Sequence, residues 1–208
     1  MLLGLPFIII LGFFLFFLPF KFTLDSIFNL VMVPSQIYNI ATNPILRKNH
    51  GLEHATANIL EREYGYKNIS GYAVDDGFYI IGVPNTMLVE QAARKGLYLM
   101  KKGYSDLAIH KSCGTSLTAS SFVSAVVFLG LLLSSGYFSI INMVIAILFA
   151  NIIGPYLGKY LQRYFTTSAE VNEMEVVTSG FAVNKRWNSP PRVFVKTRNI
   201  PFVNRICS

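Results

Sequence analysis

The chain has 208 residues, 52% of them hydrophobic and only 14% charged, with a net charge of +7. Soluble domains carry about a quarter charged residues. That deficit, concentrated in long apolar runs, excludes an ordinary soluble globular protein and makes the chain an integral membrane protein.

Residues 1–20 (MLLGLPFIIILGFFLFFLPF) carry no charge and are long enough to cross a hydrocarbon core of roughly 30 Å. They lack the basic start and small-residue cleavage site of a signal peptide, so they read as a retained transmembrane helix. Residues 22–42 follow differently. Leu24, Ile27, Phe28 and Val31 keep helical spacing, but Asp25, Ser26 and Asn29 interrupt the apolar surface and Pro34 ends the run. The pattern predicts an interfacial amphipathic segment or a re-entrant turn.

Residues 43–112 predict a small α+β domain. Asn43 is a natural N-cap with Pro44 at the first helical position, and the helix ends at Gly65. Residues 68–82 read as a β-hairpin around Asp75-Asp76-Gly77, because Asp-Gly between β-prone runs is a strong turn signal. Asn85 or Thr86 caps a second helix, which runs to Gly103 with an apolar stripe at Leu88, Ala92, Ala93, Leu97 and Leu99. Ser105-Asp106 begins a short turn into His110.

Residues 116–160 form a transmembrane helical hairpin, turning tightly at Ser134-Ser135-Gly136. Residues 164–208 are a basic tail, with short strands expected over Glu175–Val183 and Arg192–Lys196 and a loop over Asn188–Pro191. The fold class is therefore integral membrane and α-helical: three transmembrane helices, with a small α+β domain between helices 1 and 2.

Lys and Arg orient the chain. Ten lie between residues 21 and 111 and eight from Lys159 onward, which leaves none for the other side. The N-terminus is expected outside, with the α+β domain and the tail in the cytoplasm. There the two cysteines, Cys113 and Cys207, fall on the reducing side, where a disulfide is disfavoured. The excess of basic over acidic residues in the tail predicts contact with membrane lipids through anionic headgroups. Little else favours nucleic acid as a partner.

The chemistry-bearing stretch is His50-Gly-Leu-Glu53-His54. Positions i and i+4 of a helix share a face, and i+3 lies beside them. His50 and His54 can offer two imidazole nitrogens to one metal ion, with the Glu53 carboxylate alongside. This is the reverse of the H-E-x-x-H pattern: two metal ligands and a Glu able to act as general base. The third and last histidine, His110, precedes Cys113 by three residues. Imidazole and thiolate together favour zinc over magnesium or calcium. Four ligands (His50, His54, His110, Cys113) would close a structural site; three would leave it open for catalysis. Turn chemistry explains Asp75 and Asp76 without a metal. Gly51, between the two ligands, is either a tolerated glycine or a point of close backbone approach.

The pair NHGLEHATANIL (residues 49–60) and LAIHKSCGTSL (residues 107–117), joined by GFYIIGVP and an amphipathic helix, resembles a family of uncharacterised bacterial membrane proteins defined as a domain of unknown function. The likeness covers roughly residues 43–168. A second uncharacterised membrane family has a similar HGxEH followed by HPxCGT; here Lys111 and Ser112 replace the usual Pro and its neighbour. The resemblance implies that the two motifs act together, in a multi-pass protein of the bacterial plasma membrane. It implies no activity.

Two functions fit these residues. One is a membrane-embedded zinc hydrolase, read as a peptidase at the cytoplasmic interface, acting on an unknown peptide or small molecule with Glu53 as base. The other is a non-catalytic module whose His/Cys metal site is structural.

Overall fold

The computed structural model describes residues 4–137, 139–182 and 190–200, with side chains of the first helix at Phe13 and from Phe17 onward. The chain forms two units, Met1–Gln36 with Gly114–Gly158, and Ile37–Cys113 with Lys159–Ser208.

The first unit is helical. Its first helix, α1, runs unbroken over Gly4–Ala41 and contains both Pro19 and Pro34. The separate amphipathic segment expected over residues 22–42 is thus the second half of one long helix. Proline removes one backbone bond, but an apolar surrounding offers the freed groups no water, and a helix there keeps its remaining bonds. The helix ends only at Ala41, before the Asn43 cap of the next one. At 1.5 Å per residue, α1 is about 57 Å long and exceeds one hydrocarbon core.

Helices α4 (Gly114–Ser135) and α5 (Ile140–Leu161) form the expected hairpin. Gly136 turns the corner at φ +74°, where its N–H caps the Leu132 carbonyl at 2.9 Å. Two glycines one turn apart on α5 bring the helices together. A Cβ at Gly154 would lie 2.0 Å from Ser120 Oγ, and one at Gly158 would lie 2.5 Å from the Ser116 Cα. Small residues facing each other at this spacing allow close packing of membrane helices. On the other side, Phe22 of α1 meets Phe128 edge-to-face at 4.8 Å. Among the described residues, three helical stretches are long and apolar enough to cross a membrane: Phe17–Ala41, Gly114–Ser135 and Ile140–Thr166.

The second unit is a two-layer α+β domain. Helix α2 (Pro44–Tyr64) starts as expected, with Asn43 Oδ1 accepting from the Leu46 N–H at 3.0 Å, and ends at Gly65, φ +70°. The hairpin is β1 (Ser70–Val74) and β2 (Gly77–Ile81), and α3 covers Thr86–Lys101 from the Asn85 cap. Asp75 stays in the turn, where its carboxylate accepts from Asn43 Nδ2 at 2.7 Å.

The sheet is completed from the far end of the sequence. Strands β3 (Met174–Phe181) and β4 (Arg192–Asn199) join in the order β1-β2-β4-β3, all antiparallel. Residues expected to be a tail apart from the 43–112 domain therefore supply half of its strands. The physical reason lies in β2. Phe78 and Ile80 face the helices with no exposure at all, so β2 is a central strand and needs a partner on its other edge; β4 supplies Val193 and Val195 beside them. Both helices pack on this one face, and α3 approaches α2 closely at Gly96, where a Cβ would lie 3.1 Å from that of Ala55. Cys207, Val183 and the first half of the Asn188–Pro191 loop lie outside the described residues.

Candidate metal centre

Helix α2 has a polar face that is buried as completely as its apolar one. Asn49, Glu53, His54 and Asn58 are all at most 6% exposed. Such groups are tolerated inside only when hydrogen-bonded, and each histidine finds a backbone carbonyl. His54 Nδ1 lies 2.8 Å from the Ala108 oxygen, and His50 Nδ1 lies 2.9 Å from the Thr166 oxygen. A carbonyl only accepts, so both Nδ1 atoms carry the proton. Both Nε2 atoms are then bare lone pairs. This is the arrangement in which an outer carbonyl fixes the tautomer of a metal-binding histidine.

The two carbonyls are held by features that motif reading passes over. Asn58, one turn after His54, donates from its single amide nitrogen to Leu107 and Ile109, each at 3.0 Å, and so clamps the turn whose middle carbonyl meets His54. Thr166 closes a π-helical turn over Gln162–Thr166, where the Thr167 N–H reaches back to the Gln162 oxygen at 3.0 Å. Wide turns of this kind are frequent at functional sites. The segment that follows lies directly on α2: the Ser168 N–H donates to the Arg47 carbonyl oxygen at 3.0 Å, and a Cβ at Gly51 would clash with the Ser168 oxygen. Gly51 is therefore a point of close backbone approach.

Cys113 completes the group. Its Sγ is 3.5 Å from His50 Nε2, and the ligand atoms of His50, His54 and Cys113 all lie within 4.8 Å of one another. A tetrahedral zinc with its usual bond lengths would set nitrogen and sulfur about 3.6 Å apart. This group can hold a metal ion. Glu53 Oε2 lies 3.8 Å from Nε2 of each histidine.

His110 sits beside the trio. Its ring centroid is 5.8 Å from that of His54, and its Nε2 faces Glu61 Oε1 at 3.3 Å but out of hydrogen-bond alignment, which leaves that buried nitrogen without a partner among the described residues. Its backbone N–H donates to Gln162 Oε1 at 2.9 Å.

Burial sets the protonation of the centre. Desolvation lowers the His50 pKa against the opposing pull of the Thr166 carbonyl, and lowers that of His54 well below the usual value, with His50 and His110 adding to the effect. Desolvation raises Glu53 to about 8. Near pH 7 the metal-free centre thus holds two neutral imidazoles and a protonated carboxyl, so neither close His–Glu53 contact is an ion pair. A bound cation would favour the carboxylate.

A family model described as a domain of unknown function, DUF6391, matches residues 45–178, which is more than half of the chain. The chain belongs to this family. The matched part of the DUF6391 domain carries α2, the hairpin, α3, the His110–Cys113 turn and the π-helical turn, so every group of the centre lies within it. A relative, an uncharacterized protein of Picosynechococcus sp. (strain ATCC 27264 / PCC 7002 / PR-6), is 33% identical over 140 residues, covering 61% of this chain and 68% of that protein. No solved structure matches. The resemblance drawn from the paired His motifs is borne out at the level of the family.

Proposed function

We infer that this DUF6391 protein is a membrane-embedded zinc-dependent hydrolase, with His50, His54 and Cys113 as ligands and Glu53 as general base. One observation carries the reading: a buried and a half-buried histidine with their Nε2 lone pairs freed by carbonyls, and one carboxylate oxygen 3.8 Å from both. A purely structural site has no use for Glu53 in that position. When bound, zinc supplies a Lewis acid that polarises a carbonyl and acidifies water. Glu53 would take a proton at Oε2 from the water that attacks the substrate carbonyl carbon, and would return it to the amine released as the C–N bond breaks. The His50 side chain, 12% exposed, is the most open of the three histidines. His110, bearing on His54 and Glu61, is placed to tune the centre or to serve as a fourth ligand after a side-chain rotation.

In this reading the soluble unit faces the cytoplasm of a bacterial cell, on the evidence of its Lys and Arg content. Elemental analysis of the detergent-purified protein, wild type beside His54→Ala, is the test: about one zinc per chain in the first and none in the second. An absence of metal from both would remove the reading.

A structural module is the second reading. It is favoured by the way the trio and its carbonyls tie α2 to three separate segments, at Ala108, Cys113 and Thr166. Loss of the fold on chelation would support it; an intact metal-free fold supports the hydrolase.

A further inference from the structure

We propose that the first unit holds a second site, a polar cleft at mid-membrane depth that binds a small uncharged solute. A cavity of about 270 Å³ opens between α1, α4 and α5. That is many times the roughly 10–15 Å³ that one water requires.

Its lining sets Asn and Ser side chains among Phe22, Ala125, Ile147 and Ala150. Asn29, Ser124 and Asn151 each come from a different helix, and Ser124 and Asn151 stand at or within two residues of the midpoints of their membrane-length stretches. Polar side chains are most costly at that depth and mark functional sites there. Nothing local satisfies them. Ser120 and Ser121, also in the lining, bond back to the carbonyls of Ser116 and Leu117 at 3.1 and 3.2 Å. Asn29, Ser124, Asn151 and the buried Ser26 make no such bond among the described residues. Four side chains from three helices, with Ser26 buried, Asn29 and Ser124 half-buried and Asn151 exposed, thus border one volume with unspent donors and acceptors.

The charge of the lining selects the guest. The cleft contains one carboxylate, Asp25, and Lys21 already neutralises it at 2.6 Å. An ion entering would lose hydration with no countercharge to replace it. An uncharged molecule with hydroxyl or amide groups would exchange its bonds to water for bonds to Asn and Ser, each of which offers both donor and acceptor. The site therefore takes water and solutes of the polyol or carboxamide class.

The test uses the full chain in lipid nanodiscs with Cys207→Ser, and the labelling of this parent subtracted for Cys113. Ser124→Cys and Val126→Cys place a thiol at similar depth on α4, one in the cleft and one on the exposed side. Their rates with a hydrophilic thiol reagent are compared, normalised to glutathione. Ser124→Cys is expected to react about tenfold faster or more, since lipid holds no water. Glycerol or acetamide is expected to slow it about twofold, and sodium chloride at equal osmolality to leave it unchanged. Asn29→Cys repeats the measurement from another helix. Equal, slow labelling of both thiols would show a dry cleft. Fast labelling unaffected by either solute, or slowed only by salt, would equally overturn the proposal.

Discussion

The Glu53 carboxylate rests against the backbone of Gly71: a Cβ at position 71 would lie 2.5 Å from Glu53 Oε1. Strand β1 thus presses on the centre, and the absence of a side chain there leaves room for the base. The added Cβ would also lie 2.5 Å from the Tyr79 carbonyl oxygen, so Gly71→Ala is expected to keep zinc, whose ligands lie on other elements, and to cost about 1–3 kcal/mol as overpacking usually does. Hydrolysis should fall far more than stability, since Glu53 must shift. Metal content, a urea melt and cleavage on one preparation check this.

Asn58 holds the turn that holds His54. Asn58→Ala would strip the Leu107 and Ile109 carbonyls of their shared donor, at about 1–3 kcal/mol for buried groups left unsatisfied. Because His54 then loses a fixed partner, zinc affinity should drop about 10–100-fold. Competition with a chelator of known affinity measures it. Unchanged affinity would show that the Ala108 carbonyl keeps its place without Asn58.

Much of this was legible in the sequence because local rules and tertiary demands agree. Asn43-Pro44, Asp75-Asp76-Gly77, Asn85 and Gly136 are where caps and turns were expected. His50 and His54 were predictable because helical spacing alone puts them on one face. Less accessible were features set by contacts distant in sequence. Thr166 meets His50 across 116 residues, and Thr197 meets Asn49 across 148; no periodicity encodes either. The same holds for β3 and β4: their residues suggested strands, but not which sheet would take them. Pro34 misled, since a helix stop in water is tolerated in an apolar helix. Gln162 had one available signal, a polar residue directly after an apolar helix end.

The metal-free protein should respond to pH on two sides. Glu53 is raised from 4.5 to about 8 by burial. Below pH 4.5 it is protonated folded or unfolded; above that the unfolded chain ionises first, so stability falls as pH rises from 4.5 towards 8. His50 and His54 are lowered from 6.5, so their burden is absent above pH 6.5 and grows as pH falls below it. Melts in chelator should show wild type losing stability between pH 6.5 and 8. Glu53→Gln, with nothing to ionise, should stay level there. A decline of equal slope in the variant would contradict this origin.

Topology is open to a direct check. Lys67→Cys should be protected from impermeant reagent in intact cells, and Ser135→Cys should be labelled, if the basic residues lie inside. Labelling at position 67 from outside would place the centre on the other side of the membrane.

The hydrolase reading turns on Glu53. Glu53→Gln keeps the size of the side chain and much of its hydrogen bonding but cannot accept the proton. The decisive measurement is zinc content and peptide cleavage on the same preparation of this variant and of wild type. The predicted result is equal zinc, an intact fold and cleavage reduced at least about 100-fold, the usual contribution of a positioned base. Cleavage by the variant at the wild-type rate would contradict it.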